Sequence, residues 1–318
     1  MRAARVFAML SVTLAFAACS SSGKPASAPV SAGAVATTST AAGAATDPGC
    51  RPAPAFGPGT STHHLAVAGA DRVFLVHMPR RPRAGMHLIV DFHGAASDMQ
   101  QQDIYSGFDP LADRDGFVVV TPNGIDAPIR QWRFLGTSDD IAFAIAIVRS
   151  LVHDACVDPA HAYATGISSG GAMTASLACQ ASDTFAAFAM VAADFYLPPI
   201  CDRARSRPIM IFHGTADPVV PYSGGHVGTP TGLPVEPAEK TAAAWAHHNG
   251  CAPGATRAHL SAQVTRLTWQ QCRAPVVMYR IEGGGHTWPG AAIHVDRLGL
   301  TTDQINATDE MWRFFDAS

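Results

Sequence analysis

The sequence predicts an α/β fold, with a mostly parallel sheet and helices on both faces. Three observations carry this. From about Cys50 onward, short apolar, β-branched runs alternate with helical patterns. Strands that alternate with helices imply a parallel sheet covered on both sides. Neither an internal repeat nor a second compact domain interrupts the series, and 47% hydrophobic residues in 318 suffice for one large core.

The elements follow in order. Arg72–Met78 reads as a strand ended by Pro79, and His87–Phe92 as a second that runs into His93 and Gly94. Gly116–Thr121 is a third, stopped by Pro122. Asp139 and Asp140 read as capping residues of a helix whose apolar stripe is Ile141, Ile145, Val148, Leu151 and Val152. His161–Thr165 is the next strand and Ser169–Gln180 the next helix. Phe185–Ala192, Pro208–Phe212 and Val276–Ile281 complete the strands; Lys240–Asn249 and Asp303–Asp316 read as helices. The Gly- and Pro-rich stretch Val219–Pro237 is expected to be a long loop inside the domain.

The first residues concern destination, not fold. Arg2 and Arg5 precede an apolar run, Val6–Ala18, that is too short to span a bilayer. Its ending, Phe16, Ala17, Ala18 and Cys19, resembles a bacterial lipobox, which makes residues 1–19 a lipoprotein-type signal and Cys19 the lipidated residue. An ordinary cleavage near the same place is the alternative. Residues 20–49, nearly all Ala, Ser, Thr, Gly and Pro, cannot bury enough apolar surface to order themselves and are expected to form a linker. Residues 50–318 are expected to form the folded domain. The expected destination is extracellular or in the cell envelope, with membrane contact only through Cys19 and the chain a monomer.

Net charge is −3 and the basic residues are scattered arginines, so nothing resembles a nucleic-acid footprint. Beyond Cys19 the cysteines are Cys50, Cys156, Cys179, Cys201, Cys251 and Cys272. An even number in an exported chain suggests disulfides. Cys251 and Cys272 bracket a short excursion and should pair. Cys179 and Cys201 both fall at the N-terminal edge of the sheet and should pair too, which leaves Cys50 with Cys156. None has zinc-ligand spacing to a histidine, so no metal site is expected.

The chemistry centres on Gly166, Ile167, Ser168, Ser169 and Gly170, a G-x-S-x-G with an apolar strand running in and an Ala-rich helix running out. That is the strand–turn–helix of a nucleophile elbow. A serine hydroxyl needs a base, and this architecture orders its triad as Ser, acid, His along the chain. Asp217 lies just past a strand end, and His286 sits in a glycine loop just past the last strand. Asp194 also follows a strand and is the rival acid. The oxyanion of ester hydrolysis needs donors, here expected from the backbone N–H groups of Ala95 and Ser169, with His93 as a prop. Trp132, Phe195, Tyr196, Tyr222 and Trp288 follow strand ends and are expected to line an aromatic cleft. Of these, Trp132, Tyr222 and Trp288 are the leading candidates for substrate contact. His213 is expected to pack or hydrogen-bond locally.

From about Ala66 to Phe315 the chain resembles the secreted polyhydroxybutyrate depolymerase-like and feruloyl esterase-like α/β-hydrolases. The carriers are Asp91–Gly94, Thr121–Gly124, Trp132, Asp139–Asp140, Tyr163–Met173, His213–Asp217 and Gly283–Gly290. The resemblance implies a carboxylic ester hydrolase without a cofactor, with its triad at Ser168, Asp217 and His286, acting on a small or polymeric ester. Ser169 stands where relatives often carry Asn. Ala95 and Ala96 stand where many have a bulkier or polar residue. Acyl transfer or peptide cleavage on the same triad, or a catalytically dead surface binding protein, are the alternatives.

Overall fold

Buried strands need apolar side chains on both faces, and the strand of the Asp91–Phe92 segment supplies them. Leu88, Val90 and Phe92 enter one core cluster, while Ile89 enters the other. The computed structural model describes residues 52–318, apart from 54, 127–128, 137, 194, 196–199 and 229–231. The expected signal, Cys19, the linker, Cys50, Asp194 and Tyr196 therefore lie outside the described residues. Among the described residues no helix is long and apolar enough to cross a membrane.

The main sheet has ten strands: β1 (Gly59–Val67), β2 (Ala70–Met78), β3 (Met86–Phe92), β4 (Val118–Pro122), β5 (Val157–Ile167), β6 (Ala187–Val191), β7 (Ile209–Gly214), β8 (Ala255–His259), β9 (Val264–Trp269) and β10 (Val276–Ile281). Their spatial order is β1-β2-β4-β3-β5-β6-β7-β10-β9-β8. The central run from β4 to β10 is parallel, and both margins are antiparallel. This is the mostly parallel sheet that the alternating pattern predicts.

Among the described residues six α-helices cover it: α1 (Met99–Ser106), α2 (Asp109–Asp115), α3 (Asp139–Asp154), α4 (Ser169–Gln180), α5 (Ala238–His248) and α6 (Ala307–Asp316). Phe143 and Ile147 of α3, Leu177 of α4 and Trp245 of α5 join one core cluster. Leu111 of α2 and Met311 and Phe315 of α6 join the other. Helices thus lie on both faces.

Several elements differ from expectation. β1, the hairpin β8–β9 and the helices α1 and α2 carry no strong apolar signature; β1, for instance, alternates half-buried and exposed residues. The expected loop 219–237 contains a small antiparallel pair, Gly225–His226 with Pro234–Val235. Asp140 does not cap α3. Ser138 does, accepting from the Ile141 N–H. Asp140 is buried and accepts from Arg72 Nη2 at 2.7 Å and from the Arg133 N–H at 2.7 Å. A carboxylate so enclosed requires such partners.

Cys179 is joined to Cys201 and Cys251 to Cys272, as the spacing predicts. Cys156 is also disulfide-bonded.

Candidate active site

The sharpest local constraint in the chain is the turn between β5 and α4. Ser168 adopts φ 58° and ψ −119°, a left-handed backbone that side chains rarely occupy and that persists only when its surroundings impose it. Two glycines impose it here. A Cβ on Gly166 would meet the Phe92 carbonyl oxygen at 2.5 Å, and one on Gly170 would meet the same oxygen at 1.9 Å. The Ser168 turn is therefore pressed against the end of β3, where His93 and Gly94 begin the next loop. Ser168 N–H donates to the Val191 carbonyl at 2.9 Å, which ties the turn to β6 as well.

The loop after β3 is held from several sides. His93 is buried and accepts from the Gly124 N–H through Nε2 at 2.9 Å, so its Nδ1–H donates to the Gly94 carbonyl at 2.7 Å. Trp132 Nε1–H donates to the His93 carbonyl at 2.9 Å, and the Trp132 N–H to Ser169 Oγ at 3.2 Å. Ala96 N–H donates to the Arg130 carbonyl at 2.8 Å. Arg72 and Asp140 fix Arg133 beside Trp132, so a buried ion pair backs the whole arrangement. Ala95 faces the cavity described below. Ser169 is the first residue of α4, where a helix leaves its N–H groups without intrahelical partners.

Asp217 and His286 come from the ends of neighbouring parallel strands, β7 and β10. Asp217 Oδ1 accepts from the Val219 and Val220 N–H groups, each at 2.8 Å. Its Oδ2 accepts from His286 Nδ1–H at 2.8 Å. A carboxylate can only accept, so this bond fixes the proton on Nδ1 and leaves Nε2 as an acceptor. His213 also lies against Asp217, at 3.4 Å, while its Nε2–H donates to the Val220 carbonyl at 2.9 Å. Burial pushes the Asp217 carboxyl up, but the hydrogen bonds from His213 and His286 outweigh it and hold the group well below the usual carboxylate range.

Ser168 and His286 line one cavity of about 410 Å³ with Gly94, Ala95, Tyr105 and Val219. That size suits a small-molecule site. Among the described residues no hydrogen bond links Ser168 Oγ to His286 Nε2, a looseness common in sites before substrate binds.

The aromatic cleft is the main correction. Trp132 and Trp288 are buried and neither lines the cavity. Trp132 braces the loop after β3. Trp288 Nε1–H donates to Thr308 Oγ1 at 3.0 Å, and its ring meets Phe108 edge-on. Tyr222 is half-buried beside His213 and donates to Glu239 at 2.9 Å, away from the cavity. Phe195 packs against Phe134 and also lies outside it. Indole and phenol groups with a polar tip favour positions where ring and tip are both satisfied. The aromatic side chain that does line the cavity is Tyr105, from the polar helix α1, where no sequence signal marked it.

Comparison with known proteins agrees with this architecture. The family model described as Esterase PHB depolymerase matches residues 74–219. Feruloyl esterase B of Piromyces equi is 31% identical over 211 residues, 63% of this chain and 39% of that protein. Feruloyl esterase C of Emericella nidulans is 28% identical over 283 residues, 86% of this chain and 92% of that one. Among solved structures, an acetyl xylan esterase from Aspergillus awamori shares the fold with a TM-score of 0.62 at 16% identity, covering 81% of this chain and 100% of that one. The chain is thus a carboxylic ester hydrolase on an α/β-hydrolase fold. Within that class it is similar to the polyhydroxybutyrate depolymerase and feruloyl esterase enzymes.

Proposed function

We propose that the chain is a serine esterase working through an acyl-enzyme, with Ser168 as nucleophile, His286 as general base and Asp217 as the residue that orients it. The observation that carries this is the Asp217–His286 hydrogen bond at 2.8 Å, with His286 and Ser168 lining the same cavity. His286 Nε2 takes the proton of Ser168 Oγ as that oxygen bonds to the ester carbonyl carbon. The Ala95 and Ser169 N–H groups hold the developing oxyanion. His286⁺ then gives its proton to the leaving alkoxide as the carbon–oxygen bond breaks. A water deprotonated by His286 repeats the attack and releases the acid and Ser168. Asp217, ionised across the working range, stabilises the imidazolium in both halves.

The substrates proposed are short-acyl, feruloyl-type or hydroxyalkanoate-oligomer esters. The apolar cavity of modest size and the names of the relatives support this. Residues 1–19 are proposed as an export signal with Cys19 lipidated, residues 20–49 as a tether and residues 50–318 as a monomeric catalytic domain. The disulfides fit an oxidising destination.

Ser168→Ala tests the assignment. It is expected to lower turnover by on the order of 10⁶ and to abolish labelling by an organophosphonate, while thermal unfolding stays close to wild type. A variant that retains more than a few per cent of the rate refutes the role of Ser168.

A further inference from the structure

The cavity at Ser168 has an uneven chemical lining. Ile104, Ile293, Val295 and Leu298 form much of its wall, and Ile104 and Ile293 are 64% and 45% exposed. Among the described residues, and apart from His286, its ionisable side chains are Tyr105 and Arg297, so Arg297 carries the fixed charge. Several surface arginines have carboxylate partners, such as Arg80 with Asp113, Arg257 with Glu239, Arg280 with Glu282 and Arg313 with Glu310; Arg81 and Arg149 have none among the described residues but lie away from the cavity. Among the described residues Arg297 has no acidic partner, and its neighbour Asp296 makes no ion pair with it.

Its position is fixed relative to the proposed base. Arg297 sits in the short turn Asp296–Leu298. The His286 N–H donates to the Leu298 carbonyl at 2.7 Å, and the Gly285 N–H to the Leu300 carbonyl at 2.9 Å. The segment that carries Arg297 is thus clasped to the segment that carries His286. A guanidinium without a partner, beside an apolar wall, is suited to a carboxylate, which it can hold through two parallel N–H···O bonds.

We propose that Arg297 is a specificity-determining residue and that the preferred substrates are anionic esters. They would have an apolar body seated on the isoleucine-rich wall and a free carboxylate, in the acyl or the alcohol part, held by Arg297. The chemistry that matches is an ester of a hydroxy acid whose own carboxyl is unesterified. This rests on Ser168 and His286 being the reacting pair, because the cavity is defined around them. An exposed ion pair is worth at most about fivefold in binding, and seating one charge against an apolar wall raises that to about tenfold.

The test uses two isosteric pairs of esters on the full chain. The first is 4-carboxyphenyl butyrate against 4-carbamoylphenyl butyrate, with the charge on the alcohol side. The second is monophenyl adipate against the phenyl ester of its half-amide, with the charge on the acyl side. Wild type is expected to favour the anionic member of at least one pair by about tenfold in kcat/KM, a preference that 0.5 M salt erodes. Arg297→Gln is expected to bring the anionic and neutral members of the favoured pair to equal kcat/KM, a relative loss of about tenfold for the anionic ester, and Arg297→Lys to restore part of the preference. Equal rates within both pairs for wild type, or a preference unchanged in Arg297→Gln, overturns the proposal. Failure of wild type to hydrolyse even the neutral esters would instead overturn the esterase reading beneath it.

Discussion

Replacing Asp91 with Asn is expected to change how stability depends on pH. Asp91 lies on β3, fully buried, and one carboxyl oxygen accepts from Gln102 Nε2 at 2.8 Å. Burial raises its pKa from 3.8 to about 7. Below 3.8 the carboxyl is protonated in both states; between 3.8 and about 7 only the folded chain keeps the proton. Folding then takes up a proton, so stability falls as pH rises, by about 1.4 kcal/mol per pH unit. Over the whole interval the loss is about 4 kcal/mol, and above it both states are ionised and nothing more is lost. Asn cannot titrate, so its curve lacks this slope. Asp103, also raised to about 7 by burial and by Asp109, is present in both proteins and cancels in the comparison. Urea unfolding from about pH 5 to about pH 8 measures the effect. The wild-type advantage over the variant should shrink by about 3 kcal/mol between pH ~5 and pH ~7, then level off. Any fixed cost of an amide at this position drops out, because only the change with pH is read. Parallel curves would refute a protonated Asp91.

Two further outcomes concern the site. Asp217→Asn keeps an acceptor for the Val219 and Val220 N–H groups, but it turns an amide donor towards His286 Nδ1 and so favours the wrong tautomer. A loss of about 10⁴ in kcat is expected, with unfolding little changed, and a loss under tenfold would remove Asp217 from its role. Trp132→Phe deletes the donor to the His93 carbonyl without touching the cavity. It should lower kcat about tenfold, equally for feruloyl and acetyl esters, whereas a loss confined to the aromatic ester would restore Trp132 as a substrate contact.

Much of this was legible in the sequence because it depends on the backbone. The β5–α4 turn, the acid after β7 and the histidine after β10 are marked by glycines and by apolar strands whose ends fall where the sheet requires. α4 begins at Ser169 and ends at Gln180, as its Ala-rich pattern predicts. What was not legible is the direction in which loop side chains point. Trp132 and Trp288 follow strand ends, but their indole N–H groups find partners inside the protein, and the rings go with them. Asp140 beside Asp139 looks like a cap because its partner, Arg72, is 68 residues away. Helix α1 is Met99 followed by three glutamines and an aspartate, with no apolar stripe, yet it supplies Ile104 and Tyr105 to the cavity.

The strand order also bears on how the enzyme acquires activity while folding. The loop after β3, Ser168 after β5, Asp217 after β7 and His286 after β10 belong to strands that share one continuous parallel run. Each neighbouring pair closes through a crossover, and Asp217 and His286 meet across 69 residues of chain. Such long-range pairings form slowly, because chain entropy is lost before contacts reward it. A partly folded chain with β3 to β6 in register would present the serine turn but not the proposed base. On the proposed mechanism, hydrolysis reports the docking of β10, the last parallel strand to be synthesised, and during refolding its recovery is a clock for that event.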